Sequence, residues 1–450
     1  MAVFGKKKKT REFPEVIPVS EAIRKGDIYT KMTCLFMGAG NLARKQILQG
    51  LLFLAGEVSY ICFMFFYGIN ALYDFITLGT ATQTKVFNEA TQVYEYTAGD
   101  NSQLCLLYGV VTIFVTIGFI LLWRAAVRSS YIAQKAAEAG REPESFFAVL
   151  KSLKNKRMYQ VFLFFPFMGI VLFTVMPLVF MILMAFTNYD RDHLPPGSLF
   201  DWVGFENFQT FFNSYQSKNL IWNTITLSLY SLVAGFPFPI FLALMMNQIR
   251  AKRFKQTLQV VTYLPHFIST VVMVGIMLIL LSPSNGIYGN LAHALGIQNP
   301  PNIMGQAGAF QHIYVWSDVW QHAGWDSIIY IAALAAIDPS LYEAATVDGA
   351  SKLQRLIYID LPFLIPTAVI LLIMRAGNVM NLGFEKVYLM QNPLNTSVSE
   401  VISTYVYKIG MISNQYSLSA AVNLFNTVIN FVLLVLVNGV SKKLGDTSLW

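Results

Sequence analysis

The chain has 450 residues, 55% of them hydrophobic, 14% aromatic and only 13% charged, with a mean hydropathy of +0.50. A soluble domain carries about 25% charged residues, so a string of water-soluble domains is excluded, as are disordered, collagen-like and disulfide-stapled chains. Cys34, Cys62 and Cys105 form no CxxC pair, and the positions of the charges decide what the net +7 means.

In chain order, residues 1–46 are a basic, polar segment containing Lys6 to Lys9. It is too long, and the first apolar run lies too far in, for a cleaved signal peptide. A helix needs about 20 apolar residues to cross a bilayer. Stretches of that kind occur at about 47–72, 104–123, 160–186, 219–247, 258–281, 313–337, 363–384 and 418–440. The expected fold is therefore an all-α membrane protein with eight transmembrane helices. Two accessory helices occupy 47–123, a basic linker with Pro143 occupies 124–159, and a six-helix core occupies 160–441. Pro195-Pro196-Gly197 and Pro300-Pro301 read as loop turns, and Pro237 and Pro239 as a kink in the fourth span.

Lys and Arg set orientation, because they are retained on the cytoplasmic side. Segments 1–46, 124–159, 248–257, 338–362 and 441–450 hold 26 of them, against 5 in the alternate loops. Both termini and the loop 338–362 are thus expected in the cytoplasm. The lysine run then reads as a topology and lipid-headgroup signal, and nucleic acid is not an expected partner.

Catalytic signatures are missing. There is no GxxxxGK[ST], no HExxH and no GxSxG, and the five histidines show no metal-ligand spacing. Glu57, Asp318, His322, Asp326 and Arg375 are the ionisable groups within apolar runs. Such residues usually face a bundle interior or a water-filled path. An intramembrane enzyme of polysaccharide metabolism would need facing carboxylates or a histidine pair. An ion-coupled secondary transporter would usually show an internal repeat. Neither feature is evident.

The loop after the sixth span reads as two short helices joined by a turn. Asp338 can cap the first, Pro339 fits its first position, Gly349 supplies the turn, and Leu361-Pro362 ends the second at the membrane. The run Glu343-Ala344-Ala345, Asp348-Gly349-Ala350, then Leu361-Pro362 and Pro366 resembles the EAA motif of ABC importer permeases. Lys352, Leu353 and Leu356 stand where that family often has proline and aromatic residues. The segments 185–190 and 195–208 resemble the first external loop of carbohydrate-importer permeases. The two extra spans resemble the larger permease subunit of maltose/maltodextrin importers. Tyr263 to Thr270, Asn381 to Pro393 and the terminal Ser448-Leu449-Trp450 are similar to permeases for polysaccharide fragments. The resemblance is strong over 160–450 and loose over 1–159.

It implies a type I importer core that pairs with a second permease in the bacterial cell membrane. Two cytoplasmic ATPase subunits would hold the ATP and magnesium, leaving this chain without a cofactor, and an extracytoplasmic binding protein would deliver a sugar. Glu343, Ala344, Ala345, Asp348, Gly349, Leu361 and Pro362 would couple to the ATPases. Oligosaccharide is the expected cargo class, with maltodextrin-type glucans as one option.

Two polar stripes suit a sugar. Asp318, Gln321, His322 and Trp325 share one helical face of the sixth span, and Asn378, Asn381 and Glu385 follow at i, i+3 and i+7 on the seventh. Polar groups beside an aromatic platform fit a carbohydrate, although either stripe serves equally as an interhelical contact. Phe267 and Ser269, after Pro265, are further candidates for the lining. Trp316 and Trp320 read as interface anchors, and Arg375 as a partner for either a carboxylate or the substrate.

Overall fold

The computed structural model describes residues 18–97, 99–143, 146–148, 151, 158–193 and 199–445. Lys6–Lys9, Pro195–Gly197 and Ser448–Trp450 lie outside them. Among the described residues six helices are long and apolar enough to cross a membrane, and eight result if each of two bent pairs counts as one span. The described residues form two compact units.

The first unit holds the described residues up to Leu183 and those of Asp192–Asp201. Three short helices, α1 (Val19–Lys25), α2 (Ile28–Met32) and α3 (Ala39–Ala43), precede the long helix α4 (Ile47–Thr77). An antiparallel hairpin, β1 (Lys85–Asn88) and β2 (Val93–Tyr96), follows, with Phe87 opposite Tyr94. It is a local feature of the loop between two long helices and leaves the all-helical membrane fold as expected. Helix α5 (Ser102–Glu138) has 37 residues, about 55 Å at 1.5 Å per residue. It outruns a bilayer core of about 30 Å, so the expected linker begins as a continuation of this helix. α6 (Val161–Met184) is the third long apolar helix.

Helices α4 and α5 meet through Tyr60, whose ring stacks on Phe119 at 3.9 Å and whose hydroxyl lies 3.1 Å from Thr116 Oγ1. The short helices rest against the far end of α5. Ala22, Val127 and Tyr131 form an apolar contact there. Beside it, Arg44 Nη2 donates to Asp27 Oδ2 at 2.6 Å and Thr30 Oγ1 donates to Gln134 Oε1 at 3.0 Å. Glu57 accepts the Met37 N–H at 2.7 Å. Its carboxylate is thereby committed to holding the chain that enters α4.

The second unit comprises Met184–Arg191 and the described residues from Trp202 onward. Its main helices are α7 (Glu206–Asn213), α8 (Ser217–Asn247), α9 (Lys252–Tyr263), α10 (Thr270–Leu280), α11 (Ala307–Ala335), α12 (Pro339–Val347), α13 (Lys352–Ala376), α14 (Phe384–Met390), α15 (Ile402–Tyr407) and α16 (Tyr416–Lys443). One apolar cluster joins Leu227, Met273, Val315 and Val387 from four helices. Another joins Phe211, Leu220, Ile402 and Val422. A third joins Leu244, Leu334 and Leu364. Large apolar side chains such as Phe173 (82% exposed) and Phe431 point outward, as they do where lipid is the solvent.

Three expectations need correction. The apolar run 258–281 is not one straight helix. The chain bends by 99° between Lys252–Phe267 and Thr270–Leu280, because Pro265 interrupts the first and Ser269 Oγ caps the second by accepting the Val272 N–H. The seventh span starts and stops early, at Lys352 and Ala376 rather than 363 and 384. Leu361-Pro362 does not end a helix. Leu361 N–H bonds to Leu356 O, five residues back, and this widened turn accommodates the proline that would clash in a regular one. Pro237 opens the second half of α8, which still qualifies as a single 31-residue span.

Candidate functional site

A cavity of about 870 Å³ opens among α8, α11, the end of α13 and the start of α14. Asp318, Gln321, His322 and Asp326 enter it from α11, whose helical period places i, i+3, i+4 and i+8 on one side. Arg375 closes the last turn of α13. Asn378, Asn381 and Glu385 also line the cavity, but not as a helical stripe. The helix ends at Ala376, so Asn378 lies in a turn, Asn381 in irregular chain, and Glu385 on a new helix. Their spacing resembled a helix only because hydropathy continues past the break.

The charges are largely paired within the chain. Lys386 Nζ lies 3.2 Å from Asp318 Oδ1 and donates to Tyr314 O at 3.1 Å. His322 Nδ1 lies 3.4 Å from the same carboxylate. Arg375 pairs with Asp326. These pairs leave Glu385 as a cavity carboxylate with no ion pair among the described residues. Gln321 is structural as well as lining, since its Nε2 donates to Ile268 O at 2.8 Å and holds the bend between α9 and α10.

Trp325, Phe267 and Ser269 are not among the cavity residues. Trp325 lies on the side of α11 that meets the bend, stacked on His266 at 4.6 Å and 2° with Phe267 edge-on at 5.6 Å. Ser269 serves as the cap of α10. Trp316 Nε1 donates to Tyr230 at 2.9 Å.

Sequence reasoning missed Lys386, Ser228 and Ser231. Both serines line the cavity, and their hydroxyls are buried with no hydrogen-bond partner among the described residues. Their i, i+3 spacing in an apolar span was the available signal. Lys386 was detectable as a cation in a stretch, 385–417, otherwise nearly free of them.

The second feature is α12, bent 71° from α11. Asp338 Oδ1 accepts the Ser340 N–H at 2.9 Å, which holds the Asp338 carboxyl below its ordinary pKa. Pro339 occupies the first turn. Gly349 has φ +76° and open space around it. Ser351 and Gln354 then cap each other to start α13. Glu343, Ala344, Asp348 and Gly349 are exposed and Ala345 is half-buried. Leu361 and Pro362 lie farther on, within α13. Tyr342 turns back into the protein and donates to Asp360. Burial and this bond push its hydroxyl up to about 12, so it remains a donor across the physiological range.

The family model described as "Binding-protein-dependent transport system inner membrane component" matches residues 235–446. The polygalacturonan/rhamnogalacturonan transport system permease protein YteP of Bacillus subtilis (strain 168) is 35% identical over 324 residues, 70% of this chain and 100% of YteP. The maltodextrin transport system permease protein MdxF of the same organism is 26% identical over 88% of this chain and 91% of its own length. A chain in the crystal structure of a bacterial alginate ABC transporter, in complex with an alginate pentasaccharide-bound periplasmic protein, superposes with a TM-score of 0.60. It is 35% identical, over 66% of this chain and 99% of that one. A full-length match to YteP at this identity fixes the assignment: the chain belongs to the binding-protein-dependent inner membrane component family, and it is a multi-pass permease subunit of an ABC transporter rather than an enzyme.

Proposed function

We propose that this permease imports an oligosaccharide, with maltodextrin-type glucans as one option. In this reading it forms the pathway together with a second permease and receives cargo from an extracytoplasmic sugar-binding protein. Two cytoplasmic ATPases drive it through Glu343, Ala344, Ala345, Asp348 and Gly349, with Leu361 and Pro362 carrying the push into α13. Both termini lie in the cytoplasm, 1–159 carries the accessory spans and linker, and 160–441 is the core.

The observation that carries the proposal is α12 itself. It projects away from α11 and ends at a glycine turn, with Leu341 50% and Val347 88% exposed. Apolar side chains exposed on so short a projecting helix suit a partner's cleft. Alternating access then requires two states of the bundle, biased by ATP at one end and cargo at the other.

Asp318, Gln321, His322, Asn378, Asn381 and Glu385 are the proposed sugar contacts, joined by Ser228 and Ser231. Trp325, Phe267 and Ser269 would act one layer out, by shaping the bend that Gln321 touches.

Gly349→Asp tests the coupling. A Cβ at Gly349 meets nothing within 4 Å, and the strain of an Asp at φ +76° is confined to that exposed turn, so the chain should still reach the membrane while ATP-dependent uptake is lost. Normal uptake would refute the reading. A panel of neutral and uronate oligosaccharides offered to the reconstituted importer identifies the cargo. Lys352→Cys, in a background without the native cysteines, should be labelled only from the cytoplasmic side.

A further inference from the structure

Asp360 is fully buried and has no ion pair among the described residues. Its two oxygens reach two different parts of the chain. Tyr342 on α12 donates to Oδ1, and Gln248, one residue beyond α8, donates from Nε2 to Oδ2 at 3.1 Å. Asp360 itself sits in the widened turn of α13. One carboxylate therefore joins the projecting helix to the ends of two helices whose other residues, Ser231 on α8 and Arg375 on α13, line the cavity.

Apolar packing is already present here, since Leu244, Leu334 and Leu364 pack in the cluster that Tyr342 borders. Grease alone could hold these elements together, and burying a carboxylate without a cation is costly. What a carboxylate adds is direction: two bonds at a fixed angle leave three elements one relative orientation, whereas apolar contacts permit sliding.

We infer that Asp360 is a positioning residue for energy coupling, clamping α12, the end of α8 and the start of α13 into one body. Force applied to α12 then turns two walls of the cavity together. The inference rests on the proposed docking of ATPases at α12, and it adds the path by which that force enters the bundle.

The test uses the full importer in proteoliposomes, comparing native protein with Asp360→Asn, Tyr342→Phe and the double variant. Three quantities are read: ATPase subunits retained on purification, stimulated ATP hydrolysis, and sugar taken up per ATP hydrolysed. Loss of a hydrogen bond to a charged group corresponds to about a tenfold change, so Asp360→Asn should lower uptake per ATP roughly tenfold while ATPases remain bound. Tyr342→Phe should lower it about threefold, as one of two bonds to the same carboxylate. The double variant should be no worse than Asp360→Asn, because both changes break the same link.

An unchanged uptake-per-ATP ratio in the variants, with the native importer coupled, overturns the clamp and leaves the docking reading intact. So does a fall in ATPase retention and thermal stability with the ratio preserved, which is the signature of a merely structural residue. If Asp360→Asn does not assemble, Tyr342→Phe decides alone, since it removes a single hydroxyl. Native protein that neither retains ATPases nor shows ATP-dependent uptake sinks the docking reading and the clamp with it.

Discussion

The ammonium of Lys386 lies 3.2 Å from the carboxylate of Asp318, 68 residues earlier in the chain. The Lys386 side chain is only 6% exposed, and Asp318 opens to the cavity at 42%. Removing Lys386 leaves the Asp318 carboxylate with only His322, 3.4 Å away, beside it. Lys386→Met should therefore lower stability by about 1–3 kcal/mol, less than for a fully dry pair because solvent reaches Asp318. Asp318→Asn added to it should recover most of the loss. Thermal unfolding of the four proteins of this cycle measures both effects, and additive losses would mean the pair is not coupled.

Gly324 on α11 meets α9 at closest approach. A Cβ there would stand 2.0 Å from Thr262 O, and backbone cannot yield as a flexible side chain does. Gly324→Ala should cost about 1–3 kcal/mol through forced displacement of α9. Gly275→Ala, where a Cβ meets nothing within 4 Å, is the matched control. Equal melting temperatures for the two variants would show that the contact is not tight.

Trp325 and Asn378 were both read as sugar contacts, but they lie in different surroundings. Trp325→Ala removes a ring stacked on His266 and should act on stability, by about 0.5–1.5 kcal/mol beyond lost burial, with cargo affinity nearly unchanged. Asn378→Ala removes a lining amide and should raise the cargo concentration for half-maximal uptake several-fold at unchanged stability. Uptake kinetics and melting curves on both variants separate the two roles. A shift in cargo affinity with Trp325→Ala would return it to the site.

Asp338 caps α12 through the Ser340 N–H, which lowers its folded pKa. The sign follows from linkage: the carboxyl binds a proton more weakly folded than unfolded, so its contribution is complete above an unfolded value of about 4 and fades as pH falls through the lower folded value. Protection of the backbone amides in α12, measured against the intrinsic exchange rate at each pH, should fall on acidification below about pH 4 in the native chain. Asp338→Asn, which keeps an acceptor but does not titrate, should lose this dependence. Identical pH profiles would remove the cap from the account.

The apolar runs and the Asp338-Pro339 start of α12 were legible in the residues alone, because hydropathy and capping depend on neighbours a few positions apart. The same local logic misjudged 258–281 and 363–384. An average over a window records how greasy a segment is and not which way the chain turns, so the 99° bend after Pro265 and the end of α13 at Ala376 escaped it.

Of the four residues read as one face of α11, Asp318, Gln321 and His322 line the cavity together, as the helical period requires, while Trp325 does not. What faces them was not readable. Lys386 meeting Asp318, Arg375 meeting Asp326, and Trp325 turning to His266 rather than the cavity depend on how separate helices pack. By itself the sequence determined which segments must leave water and where α12 begins, because burial preference and backbone capping are carried by each short stretch. Only the tertiary structure decided which charges meet across the cavity, because partners dozens of residues apart are chosen by the crossing of helices and the chain breaks between them.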